Sequence, residues 1–187
     1  MIKTILTATA FSSLLIQPVF AADYKIDPTH SFVEFKIQHL GMSWLHGRFN
    51  DIKGTFSYDS AMQNDSKIEL KIDPASVDTN HAERDKHLRS EDFLDVSKFP
   101  AASFSSTSFS ENARGGTLNG MLTMHGVSKE ISIDVIKIGE GKDPWGGYRA
   151  GFSGSLALLR SDFDLGYKLG PAAETMLFDL TIEGIRQ

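Results

Sequence analysis

Residues 174–184, ETMLFDLTIEG, alternate apolar and polar side chains: Met176, Phe178, Leu180 and Ile182 fall on one face, Leu177, Asp179, Thr181 and Glu183 on the other. A period of two marks an antiparallel strand with one face in a core. Working back along the chain, the same pattern recurs. Residues 148–158 place Phe152 inward, 130–138 carry Ile131, Ile133 and Val135, and 117–124 set Leu118 and Leu122 together. Residues 102–110 precede that last segment across a Gly-rich turn. Residues 67–73 turn Ile68, Leu70 and Ile72 inward, and Pro74 interrupts further pairing. Residues 48–58 align Ile52 with Phe56, and residues 33–38 set Val33, Phe35 and Ile37 against Glu34, Lys36 and Gln38.

About eight such strands, with short turns and no linker or repeat, predict one all-β domain: an eight-stranded antiparallel, lipocalin-like barrel with one short helical segment. Closure removes exposed edges, and eight strands enclose an interior that is filled by side chains or holds one ligand. A sandwich is the alternative, because alternation does not report closure. The helical segment is placed at residues 80–94, with Asn80 as cap and Glu83 three residues on, as in a capping box. It is too polar for a core helix and is expected over a barrel opening or along the outside.

Composition narrows the function. The 187 residues are 41% hydrophobic and 23% charged, ordinary for one folded domain. The absence of Cys excludes thiol nucleophiles, Cys-ligated zinc and iron–sulfur clusters. Nineteen Lys and Arg against 24 Asp and Glu leave a net charge of -5, so a nucleic-acid partner is not expected. The six His residues show no zinc motif, and only Glu83 and His87 have helical i,i+4 spacing, so no metal site is expected. G-x-S-x-G and the glycine-rich phosphate loops are missing too, and no residue is assigned a catalytic role.

The N-terminus predicts the compartment. Lys3 precedes an uncharged run from Ile5 to Ile16, and Val19 and Ala21 suit a signal-peptidase site. Residues 1–21 are therefore expected to be a cleaved signal peptide and 22–187 the mature domain, periplasmic and freely soluble. Cleavage after Ala22 is the alternative and puts Phe20 at the −3 position.

Residues 77–100, VDTNHAERDKHLRSEDFLDVSKFP, together with DPTHSFVEF at 27–35, LTMHGVSKEI at 122–131 and AGFSGSLALLRSDFDLG at 150–166, resemble the YceI family over nearly the whole mature chain. The resemblance implies a periplasmic, lipocalin-like barrel that encloses a long isoprenoid chain, such as a polyprenyl pyrophosphate or a quinone-like lipid, for transport, storage or stress response. It implies no cofactor beyond that non-covalent lipid. Expected partners are the lipid, an inner-membrane lipid- or quinone-handling protein, and a second copy in a homodimer. On that reading the inward residues of the strands above line a lipid tunnel, and Trp44 and Leu45 form its mouth or flap. Arg84, His87, Arg89 and Arg160 are candidates for an anionic headgroup, since guanidinium forks match phosphate oxygens; the bland alternative is that they pair with Asp85, Asp92 and Asp162 to fix loops. Two other readings stay open: an enzyme acting on an isoprenoid or envelope lipid at the barrel mouth, and a filled barrel serving as an interaction module.

Overall fold

The computed structural model describes residues 21–187 apart from 113–114 and 167–168. The expected signal peptide lies outside the described residues but for Ala21. The strands are β1 (Ala22–Ile26), β2 (Phe32–His39), β3 (Ser43–Phe49), β4 (Ile52–Tyr58), β5 (Lys67–Ile72), β6 (Val77–Asp78), β7 (Ala102–Asn112), β8 (Gly115–Met124), β9 (Val127–Lys142), β10 (Tyr148–Leu159) and β11 (Thr175–Arg186), with one α-helix, α1 (Ala82–Leu88).

These eleven segments make eight antiparallel positions around a closed barrel, because the first three positions are each interrupted once. β1 and β2 lie end to end along β11, which pairs with β2 at Thr181↔Phe32 and with β1 at Ile185↔Lys25. β3 and β4 form the next position, β3 beside β2 and β4 beside β1, and β5 and β6 form the third, β5 beside β4 and β6 beside β3. Pairing then proceeds in chain order through β7, β8, β9 and β10 to β11, and Tyr24↔Arg186 closes the ring. Two breaks contain Pro28 or Pro74, which cannot donate to a ladder. Hydrogen bonds carry the sheet across them: the Asp27 N–H donates to the Glu183 carbonyl at 2.8 Å, and the Asp73 N–H to the Asp51 carbonyl at 3.0 Å.

One wall is aromatic. Tyr24 and Phe56 stack with centroids 4.8 Å apart, and Phe152 meets Phe56 and Tyr58 edge-on. Gly184 makes this wall close-packed, since a Cβ there would lie 2.4 Å from the Phe56 ring. At the opposite end the connections between strands cover the barrel. Phe163 is 1% exposed in a 3-10 turn at Arg160–Phe163, with Leu165 buried beside it.

The helix is shorter than its sequence predicts. Asn80 is left-handed at φ 60°, and His81 is the cap, its Nδ1 accepting from the Arg84 N–H at 3.2 Å. The last turn gives way because the Ser90 hydroxyl donates to the His87 carbonyl at 2.7 Å, competing with the helical ladder. Residues 89–94 continue as turns.

Candidate functional site

The alternating faces meet inside the barrel around an apolar chamber of about 160 Å³. β4 and β5 supply Phe56, Ile68, Leu70 and Ile72, and β8 and β9 supply Leu118, Leu122, Ile131, Ile133 and Val135. Val33, Phe152, Phe178, Leu180 and Ile182 complete the lining that the alternation predicts. The chamber is smaller than the roughly 300–1,000 Å³ of pockets that take drug-sized ligands.

Six expected lining residues lie elsewhere. Ile52 is 2% exposed, buried in the wall. Phe35 packs between Phe49 and Phe178 at 5.6 and 6.1 Å, and Ile37 and Met176 pair opposite one another where β2 and β11 run past the chamber. Trp44 and Leu45 open onto a separate polar groove on the outside, shared with Arg48, Asp78 and Arg84, so they are no flap over the chamber. Their strand, β3, lies in the extension beyond the β3–β4 break, which the unbroken alternation does not report.

None of the four headgroup candidates lines the chamber. Arg84 donates from Nε to the Thr79 hydroxyl at 2.7 Å and from a terminal nitrogen to the Thr79 carbonyl at 2.6 Å. His87 Nε2 meets Asp92 at 2.8 Å, and Arg89 donates to the carbonyls of Ala75 and Val77. Arg160 is buried and donates to the Leu165 carbonyl at 2.7 Å, while burial holds its pKa below the ordinary arginine value. Each pins a turn that covers the barrel, so proximity in sequence does not become convergence on a ligand.

Phe104 and Phe109 line the chamber and are missed by the alternation. Five residues apart, they would face opposite ways on a regular strand; an irregularity between Ser106 and Ser108 restores them to one face. Leu94 and Phe99 also reach the chamber from the aperiodic 89–101 segment. Leu156 and Leu158 simply extend the Phe152 row, a signal that was present.

Asp27, His30 and Glu183 offer ligand atoms within 4.8 Å of one another. A cation already sits among them: Arg149 donates to Asp27 at 2.7 Å, to Glu183 at 2.6 Å and to Asp143 at 2.9 Å. Burial alone would raise the Asp27 pKa, but hydrogen bonds from Thr29, His30 and Arg149 outweigh it and hold the carboxyl far below the usual range. The cluster ties the β1–β2 break to β10 and β11.

The sequence pattern of the YceI-like domain matches residues 24–184. A UPF0312 protein of Ectopseudomonas mendocina is 53% identical over 191 residues, spanning all of both chains. BcnA of Burkholderia cenocepacia has a similar structure, with a TM-score of 0.77 at 21% identity over 84% of this chain and 98% of that one. A polyisoprenoid-binding domain of Saccharophagus degradans implicated in plant cell wall breakdown superposes with a TM-score of 0.65 at 18% identity, over 90% of this chain and 100% of that one. The closed barrel, its apolar interior and the match across nearly every strand establish that the chain belongs to the YceI-like domain family.

Proposed function

We propose that this chain is an exported, periplasmic binding protein that carries one long-chain isoprenoid amphiphile in its barrel and releases it without covalent chemistry. The observation that carries this reading is the chamber, whose walls are Phe, Leu, Ile and Val from nearly every strand. An isoprenoid tail presents methyl and alkene surface, and each buried methylene-sized group contributes about 0.8 kcal/mol without a polar partner. The related Saccharophagus degradans domain, described as polyisoprenoid-binding, supports the ligand class. Polyprenyl pyrophosphates and quinone-like lipids are the natural candidates, delivered by an envelope lipid- or quinone-handling protein. Cleavage after Ala21 would leave β1 whole, whereas cleavage after Ala22 would remove the partner of Tyr58.

The chamber's size favours a second reading, a filled barrel that acts only by its surface. The carrier reading requires lining side chains to rearrange, or part of the lipid to stay outside. Gly154→Leu separates the two. Gly154 lines the chamber, and a Cβ there meets the methyls of Ile133 at 3.1 Å and Leu180 at 3.4 Å, with the Asp134 carbonyl oxygen at an ordinary contact of 3.5 Å. Gly54 is unsuitable for the same test, because a Cβ there would lie 2.0 Å from the Glu69 carbonyl oxygen. The carrier reading expects Gly154→Leu to fold and to lose isoprenoid loading measured by native mass spectrometry. Loading equal to that of the wild type would overturn it.

A further inference from the structure

We propose that the turn joining β4 to β5 recognises the head of the bound lipid, and that this head is an uncharged oxygen group bonded by Tyr58 and Ser66. The inference rests on the carrier reading and gives the lipid an orientation. Along β4 and β5 the inward residues face one another in pairs: Ile52 opposite Ile72, Gly54 opposite Leu70, Phe56 opposite Ile68. The next position of that register pairs Tyr58 with Ser66. The row is apolar for three steps and ends on two hydroxyls, and both residues line the chamber.

Among the described residues, the buried side-chain oxygens without a hydrogen bond are those of Tyr58, Asp59 and Ser66, all within this turn. Tyr58 is 6% exposed. The Lys137 ammonium bonds Glu140 at 2.8 Å and lies over the Tyr58 ring at 4.9 Å from the centroid; burial would lower the lysine pKa, but Glu140 and the nearby Tyr58 side chain raise it, and the Tyr58 hydroxyl is left without a partner in hydrogen-bonding geometry. An unpaired buried hydroxyl is costly and rare in a folded protein. Elsewhere, the buried polar residues Ser31, Thr79, Asp85 and Arg160 all have partners. A lipid oxygen at this end of the chamber would satisfy both hydroxyls, and the tail would run towards Phe99 and Leu94 at the far end.

The charges argue for a neutral head. Asp59 sets a carboxylate in the same turn, with Oδ1 accepting from the Ala61 N–H at 2.7 Å and Oδ2 buried. Two ammonium groups lie at this end, but Lys137 is paired with Glu140 and Lys67 is exposed, so the carboxylate with the buried oxygen is the charge a head inside would meet: it repels a phosphate and tolerates an alcohol or a quinone carbonyl.

The test measures binding of farnesol, farnesene and farnesyl pyrophosphate to the mature wild type and to Tyr58→Phe/Ser66→Ala. The double variant should bind farnesol roughly tenfold more weakly, the value of two modest hydrogen bonds, while farnesene binding is unchanged. It should also melt no lower than the wild type, because it removes only unpaired groups. Equal changes for farnesol and farnesene, or a lowered melting temperature, would overturn the head assignment alone. Farnesyl pyrophosphate binding that exceeds that of farnesol and collapses on Lys67→Ala would overturn it in favour of an anionic head at the exposed Lys67. Failure of all three ligands to bind the wild type would overturn the carrier reading together with it.

Discussion

The two ends of the chamber are built on opposite terms. Around the end reached by Leu94, Phe99 and His125, buried groups are matched: Asp85 accepts from the Thr79 N–H at 2.9 Å, Arg160 donates to the Leu165 carbonyl, and Phe163, whose carbonyl lies 3.2 Å from His125 Nδ1, is fully buried. The 58–66 turn at the other end is short and leaves three buried oxygens unpaired. A folded protein bonds nearly all its buried polar groups, so the first end is a stopper and the second a place where something arrives. Fold stability and ligand recognition therefore reside at different ends of one cavity, and substitutions should separate them.

The largest effect is expected at the stopper. Phe163→Ala should cost about 3–5 kcal/mol in chemical denaturation, from lost transfer free energy and the cavity left behind. A cost below about 1 kcal/mol would mean that this end is as loosely built as the other. Asp85→Ala strands the Thr79 donors and should cost about 1.5–3 kcal/mol, because these are hydrogen bonds to a charged acceptor.

Asp27 sharpens the comparison through pH. Its folded pKa lies below its ordinary value of 3.8. It therefore contributes stability that is fully present above about pH 4 and is lost progressively as pH falls from there towards the depressed value. Asp27→Asn should lower stability at pH 7, and its difference from wild type should shrink as both are titrated below pH 4. A gap that stays constant down to pH 2 would contradict the ion-pair account of this cluster. The smallest effect belongs to His87→Ala, which removes an exposed pair with Asp92. Stability should change by less than about 1 kcal/mol and lipid loading not at all. Loss of loading would return His87 to the headgroup.

Much of the barrel was legible because a period of two is enforced by burial on one face only. β5, β9 and β11 follow it so regularly that Ile68, Ile133 and Phe178 could be placed inside from spacing alone. Legibility failed where local geometry departs from the repeat. The β7 irregularity returned Phe109 to the face that simple alternation denies it. The breaks after β1 and β3 carried Phe35, Ile37, Trp44 and Leu45 beyond the chamber: the alternation of Phe35 and Ile37 continued undisturbed across the change, and the adjacent Trp44 and Leu45, read as a mouth, had no spacing to place them. α1 stopped at Leu88 because side chains capture carbonyls that the helix would have used. The cationic residues read as a headgroup site proved to be turn fasteners, since spacing along the chain carries no information about which carbonyl a guanidinium will find. Ser66 lies in the polar 59–66 segment, which carries no alternation; only the register with Tyr58 places it on the chamber wall.

The most direct measurement is native mass spectrometry of the protein purified under mild conditions from the cells that make it, followed by organic extraction of any adduct. A carrier should show one isoprenoid lipid per chain, with an oxygen-bearing head recoverable in the extract. A chain found at its bare mass, and still bare after incubation with isoprenoid lipids, would contradict the carrier reading and leave the filled barrel in its place.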